Sequence, residues 1–252
     1  MLGTALFLVG VIALAYTGLQ LRPAYHVYRG DTTDVIAVER AEEPVEIEGT
    51  ASELDGTVTA PLSETPCLAY EFEVEELQSS GKNSSWNTVD EGAAAVPFRL
   101  EDRTASVRVD PAGADLALST AVTADVDGGD PEPEPIRRFL ETESDLESEN
   151  TSLDLGVVEL ATGNDRKYHE RRLEPGDDAY VFGRSRYDVE ARETMRDISA
   201  VIEDRPESPA FVVSDSSQDG AARLLAKQYL SWLAISAFLL LIGGWMTVAM
   251  VA

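Results

Sequence analysis

The chain has 252 residues, and 46 acidic residues against 20 lysines and arginines give it a formal net charge of −26. With one cysteine, Cys67, and two histidines, it cannot form an internal disulfide bond or a closed zinc site built from these residue types. Such an acidic chain is not expected to bind nucleic acid, whose phosphates attract cations. The apolar content of 44% is too high for a disordered acidic chain, so a packed core is expected.

The first predicted element is a transmembrane helix at residues 1–22. No charged residue occurs from Leu2 to Leu21, and about 20 helical residues reach roughly 30 Å, the thickness of a bilayer core. A cleaved signal peptide is the alternative, because Ala13-Leu14-Ala15 resembles a cleavage site. The absence of basic residues before the apolar stretch favours the transmembrane helix.

The second predicted element is an acidic domain at residues 31–222, which contains every acidic residue of the chain. Apolar and polar residues alternate with the period of a half-buried antiparallel strand at 45–48, 68–75, 98–101 and 107–110. Short apolar runs at 179–182 and 211–213 predict more deeply buried strands. The domain is therefore predicted to be β-rich and mainly antiparallel.

Two helices and a loop are predicted within this domain. Pro135 suits a first helical turn, and the apolar residues that follow at helical spacing are Ile136, Phe139, Leu140 and Leu146. A second helical stripe that ends before Pro206 consists of Ala191, Met195, Ile198 and Ile202. The polar segment from Gln78 to Asp90 is predicted to be a loop that exposes Trp86.

The last predicted element is a second transmembrane helix at residues 229–252, uncharged from Leu230 onward, with a buried core helix as the alternative. The fold class predicted from the sequence is thus a membrane-anchored α+β protein with a transmembrane helix at each end. The basic residues that flank the two helices all lie on the side of the acidic domain: Arg22, Arg29, Arg223 and Lys227. They predict a cell-membrane protein with two spans and a cytoplasmic domain. Glycosylation of Asn83 or Asn150, each in an Asn-x-Ser/Thr sequence, would favour the opposite orientation.

The acidity itself has two interpretations. Abundant acidic residues, three lysines and many short apolar residues resemble proteins of halophilic archaea, in which molar salt shortens electrostatic screening to about 3 Å and relieves self-repulsion. The alternative is a specific cationic partner.

A series of short motifs carries a family resemblance. The order begins with Pro61-Leu62-Ser63-x-x-Pro66-Cys67-x-x-Tyr70 and Trp86, followed by Phe98-x-Leu100-x-Asp102 and a segment that contains Asp110 and Gly113. It ends with Tyr168-x-Glu170-x-x-Leu173-x-x-Gly176 and a strand that contains Gly183. In order and spacing these motifs resemble the GIDE domain, also called the beside-a-membrane domain, of the mitochondrial ubiquitin ligase family (MULAN/GIDE).

The resemblance implies a ubiquitin-protein ligase, but the sequence departs from that family in one respect. In the eukaryotic ligases a zinc-binding RING follows the second transmembrane helix, and one cysteine and two histidines cannot hold its two zinc ions. The sequence therefore predicts a membrane-anchored, non-catalytic interaction module with the lipid bilayer and an unknown protein as partners, and with no zinc, nucleic acid or cofactor. Ubiquitin-protein transferase activity and an accessory role in a membrane complex are the alternatives.

The motif residues are predicted to be structural or binding residues, and no catalytic or metal-binding residue is predicted. They are Pro61, Leu62, Ser63, Pro66, Cys67, Tyr70, Trp86, Phe98, Asp102, Asp110, Gly113, Glu170, Gly176 and Gly183. Cys67 is expected to be a buried apolar residue, and Trp86 is a candidate partner contact. No phosphate-binding glycine loop, HExxH or GxSxG motif occurs.

Overall fold

The structure is a computed structural model that describes residues 2–21, 25, 28, 32–80, 83–142, 144, 146, 152–154, 159–161, 163–192, 194–227 and 230–249. The helices are α1 (Leu2–Gln20), α2 (Val35–Val38), α3 (Glu134–Thr142), α4 (Gln218–Lys227) and α5 (Leu230–Ala249). The strands are β1 (Val45–Glu53), β2 (Val58–Ala60), β3 (Thr65–Cys67), β4 (Ala69–Ser80), β5 (Asn83–Ala95), β6 (Phe98–Glu101), β7 (Ser106–Val109), β8 (Asp115–Ala117), β9 (Thr120–Val126), β10 (Ser152–Asp154), β11 (Glu159–Ala161), β12 (Arg166–Leu173), β13 (Asp178–Tyr187), β14 (Asp197–Glu203) and β15 (Val212–Ser214).

Five strands close into a barrel in the order β1-β6-β7-β14-β13, because β13 also pairs with β1. The pairing of β7 with β14 is parallel, and the other four pairings of the ring are antiparallel. Strands β15 and β8 extend the sheet beyond β13. Alternate side chains fill the interior, among them Ile47, Phe98, Leu100, Val107, Val109, Val181 and Ile202. Removal of these apolar surfaces from water contributes about 25 cal/mol per Å² and is the main source of the stability of the barrel.

The fold is mainly β, which corrects the predicted α+β class. The helix predicted from Ala191 to Ile202 is wrong, because residues 197–203 form the barrel strand β14. Its apolar residues Ile198 and Ile202 are four positions apart, a spacing that fits one face of a helix and one face of a strand equally well. Nearly every residue of β14 is buried, so the alternation that identifies a half-buried strand is missing.

A second sheet has the strand order β5-β4-β12-β9. Strands β4 and β5 form a long antiparallel hairpin whose register runs from Ala69↔Ala95 to Ser80↔Asn83. The loop predicted for Gln78–Asp90 is therefore wrong, since nearly all of these residues belong to the hairpin. Exposed polar strands lack the apolar alternation by which strands are recognised in a sequence.

Helix α3 packs on one face of the second sheet and confirms the helix predicted after Pro135. Its buried side chains are Ile136, Phe139 and Leu140, and the ring of Phe139 meets that of Phe72 edge-on at 5.0 Å. The same cluster includes Leu62, Val74 and Tyr168. This face of the sheet is thus covered by the chain itself.

The predicted membrane spans are contradicted. Within the described part of the chain, no helix combines the length and the apolar character needed to cross a bilayer. This finding overturns the predicted transmembrane helices at 1–22 and 229–252 and the predicted two-span cell-membrane protein. The prediction rests on the lack of charged residues, which is not sufficient by itself for a span. Helices α1 and α5 pack closely, since a Cβ atom added at Gly10 would lie 2.9 Å from the backbone nitrogen of Leu240. The predicted flanking residues Arg22 and Arg29 and the predicted sequon residue Asn150 lie outside the described residues.

Gly183 is expected to be intolerant of a side chain. A Cβ atom at this position would lie 2.7 Å from Cδ2 of Phe211 and 2.8 Å from Cγ2 of Ile202. We expect Gly183→Ala to lower the free energy of unfolding by about 1–3 kcal/mol, because a packed core resists an added carbon atom. Denaturant unfolding measures the change. Gly18→Ala is the matched control: a Cβ atom added there would have nothing within 4 Å, and this helical substitution should be neutral or stabilise by up to about 1 kcal/mol.

Candidate functional site

Glu170 is the centre of a buried, hydrogen-bonded polar cluster, which we call the Glu170 cluster and define as Ser63, Glu170 and Arg172. The Glu170 side chain, on β12, is fully buried. Its carboxylate accepts hydrogen bonds from the backbone N–H groups of Leu62 (2.7 Å) and Ser63 (3.2 Å), from the Ser63 hydroxyl (2.5 Å) and from Arg172 (3.0 Å). A buried carboxylate with this many donors fixes the turn between β2 and β3 against the second sheet.

The single cysteine lies beside this cluster. Cys67 is buried at the end of β3, and its thiol donates to the carbonyl oxygen of Val58 at 3.7 Å. Burial, reinforced by the negative charge of Glu170, raises the pKa of Cys67 to about 11. The thiol is therefore protonated at neutral pH and is a poor nucleophile.

The other motif residues are dispersed over the fold. Phe98 is fully buried in the barrel. Burial opposes the charge of Asp102, but hydrogen bonds from Thr104, Val35 and Ala105 outweigh it and hold the pKa of Asp102 below its usual value. Remaining positions are turns or strand positions: Pro61 in the β2–β3 turn, Pro66 in β3, Tyr70 in β4, Asp110 and Gly113 before β8, and Gly176 (φ +100°) between β12 and β13.

Trp86 is half-buried on β5 and does not project from a loop as predicted. The ammonium nitrogen of Lys167, on β12, lies 4.2 Å from the centroid of the Trp86 ring. This cation–π contact links the hairpin to β12 and is worth about 0.5–1 kcal/mol at such a site. Trp86 therefore has a packing role within the chain.

The described residues enclose an open concavity on the face of the second sheet opposite α3, and we call it the acidic groove. Its volume is about 870 Å³, within the range of ligand pockets. The sheet supplies Glu71 and Glu73 from β4, Glu91 and Ala93 from β5, and Arg171 from β12. The opposite wall consists of Leu116 and Leu118, at and after β8, and of Leu224 on α4.

The wall is held in place by hydrogen bonds from the start of α4 to the barrel. The backbone N–H of Gln218 donates to Glu48 at 2.9 Å, and its side-chain amide donates to Glu46 at 3.0 Å. Glu46 is buried and also accepts a hydrogen bond from the hydroxyl of Tyr180 at 2.8 Å. The groove thus lies between the second sheet and α4, and α4 is fixed to the barrel by these hydrogen bonds.

The groove has a strong excess of negative charge. Burial raises the pKa of Glu71 above its ordinary value; Arg171 opposes this, and the charges of Glu73, Asp115 and Glu91 add to it. The folded protein holds this proton more tightly than the unfolded chain. Protonated Glu71 therefore contributes to stability at pH values below the ordinary pKa of a glutamate. This contribution is lost as the pH rises through the raised pKa of Glu71. A cation in contact with Glu71 would remove this penalty.

Comparison with known proteins identifies the family. A family model described as GIDE, E3 ubiquitin ligase, matches residues 70–249, which is more than half of the chain. The chain belongs to the GIDE family. This confirms the resemblance predicted from the motifs, and the GIDE match begins at Tyr70 and includes Glu170, Arg171 and Leu224. No curated protein and no solved structure matches the chain.

The sequence patterns identify members of the Glu170 cluster but not the groove of this GIDE-family chain. Alternation predicts that Glu71, Glu73 and Glu75 form the solvated side of a strand, although the first two lie on the floor of the groove. The available signal is that alternation itself, since residues two apart share one face of a strand. Nothing in the sequence indicates that Leu116 and Leu224 stand opposite them. Among the described residues, no group of three or more histidine, cysteine, aspartate or glutamate side chains has an arrangement able to hold a metal ion.

Proposed function

We propose that this GIDE-family chain is a non-catalytic interaction module that binds a partner protein in the acidic groove. The observation that carries the proposal is the groove itself, a preformed concavity of about 870 Å³ with charged and apolar sides. A well-formed pocket with a few convergent polar groups is the default binding-site hypothesis for a protein of unknown function. The match to a family described as E3 ubiquitin ligase supports a role that is related to ubiquitin ligation.

The absence of transfer chemistry of its own is the second part of the proposal. The single thiol of the chain is buried and protonated, which disfavours a thioester intermediate. One cysteine and two histidines are too few to hold the two zinc ions of a RING. The competing function is ubiquitin-protein transferase activity, which the family description favours.

A conjugation assay separates these two functions. Purified full chain is added to an activating enzyme, a conjugating enzyme and a ubiquitin-like modifier, and modified products are counted with and without the chain. We expect no increase that depends on the chain. A chain-dependent increase that survives removal of contaminating ligases would refute the non-catalytic assignment.

Photo-crosslinking in cells tests binding in the groove. A photoreactive amino acid replaces Ala93, which lies in the groove beside Glu71. The matched control replaces Asp125, an exposed residue on the same face of the same sheet but outside the groove. We expect a discrete adduct to a second protein at position 93 only. Equal labelling at both positions, or none at either, would contradict a partner site in the groove.

The state of Cys67 gives a direct chemical prediction. With a pKa of about 11 in place of the ordinary 9.0, its thiolate fraction at about pH 8 is roughly one hundredth that of an ordinary thiol. We expect iodoacetamide to modify Cys67 at least about a hundredfold more slowly in the folded chain than after unfolding in urea. Mass spectrometry follows the reaction, and equal rates in the two states would mean that the thiol is accessible and ionised.

A further inference from the structure

The groove contains more negative charge than its own residues can neutralise. Glu71, Glu73 and Glu91 line it, and Asp115 is close enough to act on Glu71. Arg171 is the only basic residue among the described residues of the lining. Glu71 is partly buried, and a partly buried charge without a close partner is costly, so a cation bound here would stabilise this surface.

Arg171 shows how the groove holds a guanidinium group. Its Nη2 atom lies 3.4 Å from Oε2 of Glu73, and the two side chains are 30% and 29% exposed. Arg171 stands opposite Glu71 in the register of β4 and β12 but pairs diagonally with Glu73. Glu71 and Glu91 therefore remain as the carboxylates available to a second guanidinium.

The opposite wall of the groove is apolar and would bind apolar groups of an occupant. Leu116 and Leu224 are only partly buried by the chain, so an occupant that covers them removes further apolar surface from water. A simple metal ion or a small polyamine cannot match both sides of the groove as well as a polypeptide can. A segment that alternates basic and apolar side chains presents one kind to the carboxylates and the other to the leucines.

We propose that the acidic groove binds an arginine-containing segment of a partner polypeptide, with the guanidinium against Glu71 and Glu91 and apolar neighbours against Leu116 and Leu224. This inference rests on the proposed function and names the chemistry of its partner. Arginine fits better than lysine, because a planar guanidinium is weakly hydrated and binds two carboxylate oxygens at once.

The location of these carboxylates in a groove matters because the whole chain is acidic. A net charge of −26 attracts any cation at low ionic strength. In molar salt the screening length falls to about 3 Å, so only charges in direct contact still attract. Binding that persists in concentrated salt therefore indicates direct contact with the groove carboxylates. Binding that is lost in concentrated salt indicates attraction to the general negative charge of the surface.

The test uses the full chain and synthetic nine-residue peptides in about 2 M KCl, with fluorescence anisotropy as the readout. One peptide alternates leucine with arginine, a second has lysine in place of arginine, and a third has glutamine. We expect the arginine peptide to bind at least about tenfold more tightly than the glutamine peptide, with the lysine peptide between them.

Three variants locate the binding. Glu71→Gln is expected to lower the affinity for the arginine peptide about fivefold to tenfold without changing the affinity for the glutamine peptide. Ala93→Trp, which fills the groove from the exposed edge strand, should abolish binding, whereas Asp125→Asn should leave it unchanged. Circular dichroism and the unfolding midpoint confirm that each variant is folded.

The outcomes distinguish this inference from the function on which it rests. Equal affinity for the three peptides, or an equal effect of Glu71→Gln and Asp125→Asn, would overturn the arginine proposal. If the crosslink at position 93 persists in that case, the groove still binds a partner of another chemistry. Chain-dependent transfer in the conjugation assay would instead refute the proposed non-catalytic function, regardless of the peptide affinities.

Discussion

Replacing Glu170 with alanine is expected to lower the free energy of unfolding by about 3–5 kcal/mol, the effect typical of breaking a buried ion pair. The substitution leaves the Arg172 guanidinium, whose side chain is 16% exposed, without its fully buried partner. It also removes the acceptor of the Leu62 and Ser63 backbone N–H groups. Urea unfolding followed by circular dichroism measures the loss.

The control for Glu170 is Glu174→Ala. Glu174 pairs with the same Arg172, at 2.6 Å, but its side chain is 42% exposed. Because a solvent-exposed pair contributes only about 0–1 kcal/mol, this change should have a small effect. If both substitutions cost the same, then the importance of Glu170 does not come from its burial.

The second large effect is expected at Phe98, at the centre of the barrel. Phe98 is fully buried on β6, where it stands opposite Glu53 and Val109. We expect Phe98→Ala to destabilise by about 3–5 kcal/mol, because it removes a large apolar side chain and leaves a cavity. Thermal unfolding measures the loss of stability.

The control for Phe98 is Tyr187→Ala. Tyr187 is also an aromatic residue on a barrel strand, but it is 66% exposed. A surface substitution of this kind usually changes the stability by no more than about 0.5 kcal/mol. A large loss at Tyr187 together with a small one at Phe98 would mean that the barrel interior is not the stabilising core.

Both substitutions bear on how the fold positions the groove. Phe98 supports the barrel, to which α4 and the wall residue Leu224 are tied through Gln218. Glu170 secures the β2–β3 turn on the α3 side of the same sheet whose other face carries Glu71 and Arg171. The motif residues therefore stabilise the framework, while different residues line the groove.

Most of the barrel strands were predictable. The segments 98–101, 107–110 and 179–182 coincide with or overlap β6, β7 and β13, since alternation or a short apolar run reflects burial that each strand requires locally. The helix after Pro135 was predictable for the same reason, because its stripe of Ile136, Phe139 and Leu140 is set by helical geometry alone.

The failures have separate physical causes. The residues of β14 are buried on both faces and share a spacing that suits a helix. The outer part of the β4–β5 hairpin, from Gln78 to Asp90, lacks apolar alternation because most of its described side chains are exposed. A lack of charge in α1 and α5 is not sufficient for crossing a bilayer, and the described helices do not meet the full requirement.

The acidic composition, the expectation of a packed core, the GIDE motifs and the single thiol can all be read from the order of the residues. These properties depend on which residues are present and on their neighbours within a few positions. That Glu170 secures a turn 107 positions away at Ser63 is visible only in the folded chain. The same holds for the groove that Glu71 and Leu224 share, because such contacts depend on strand order and sheet packing, which local patterns do not specify.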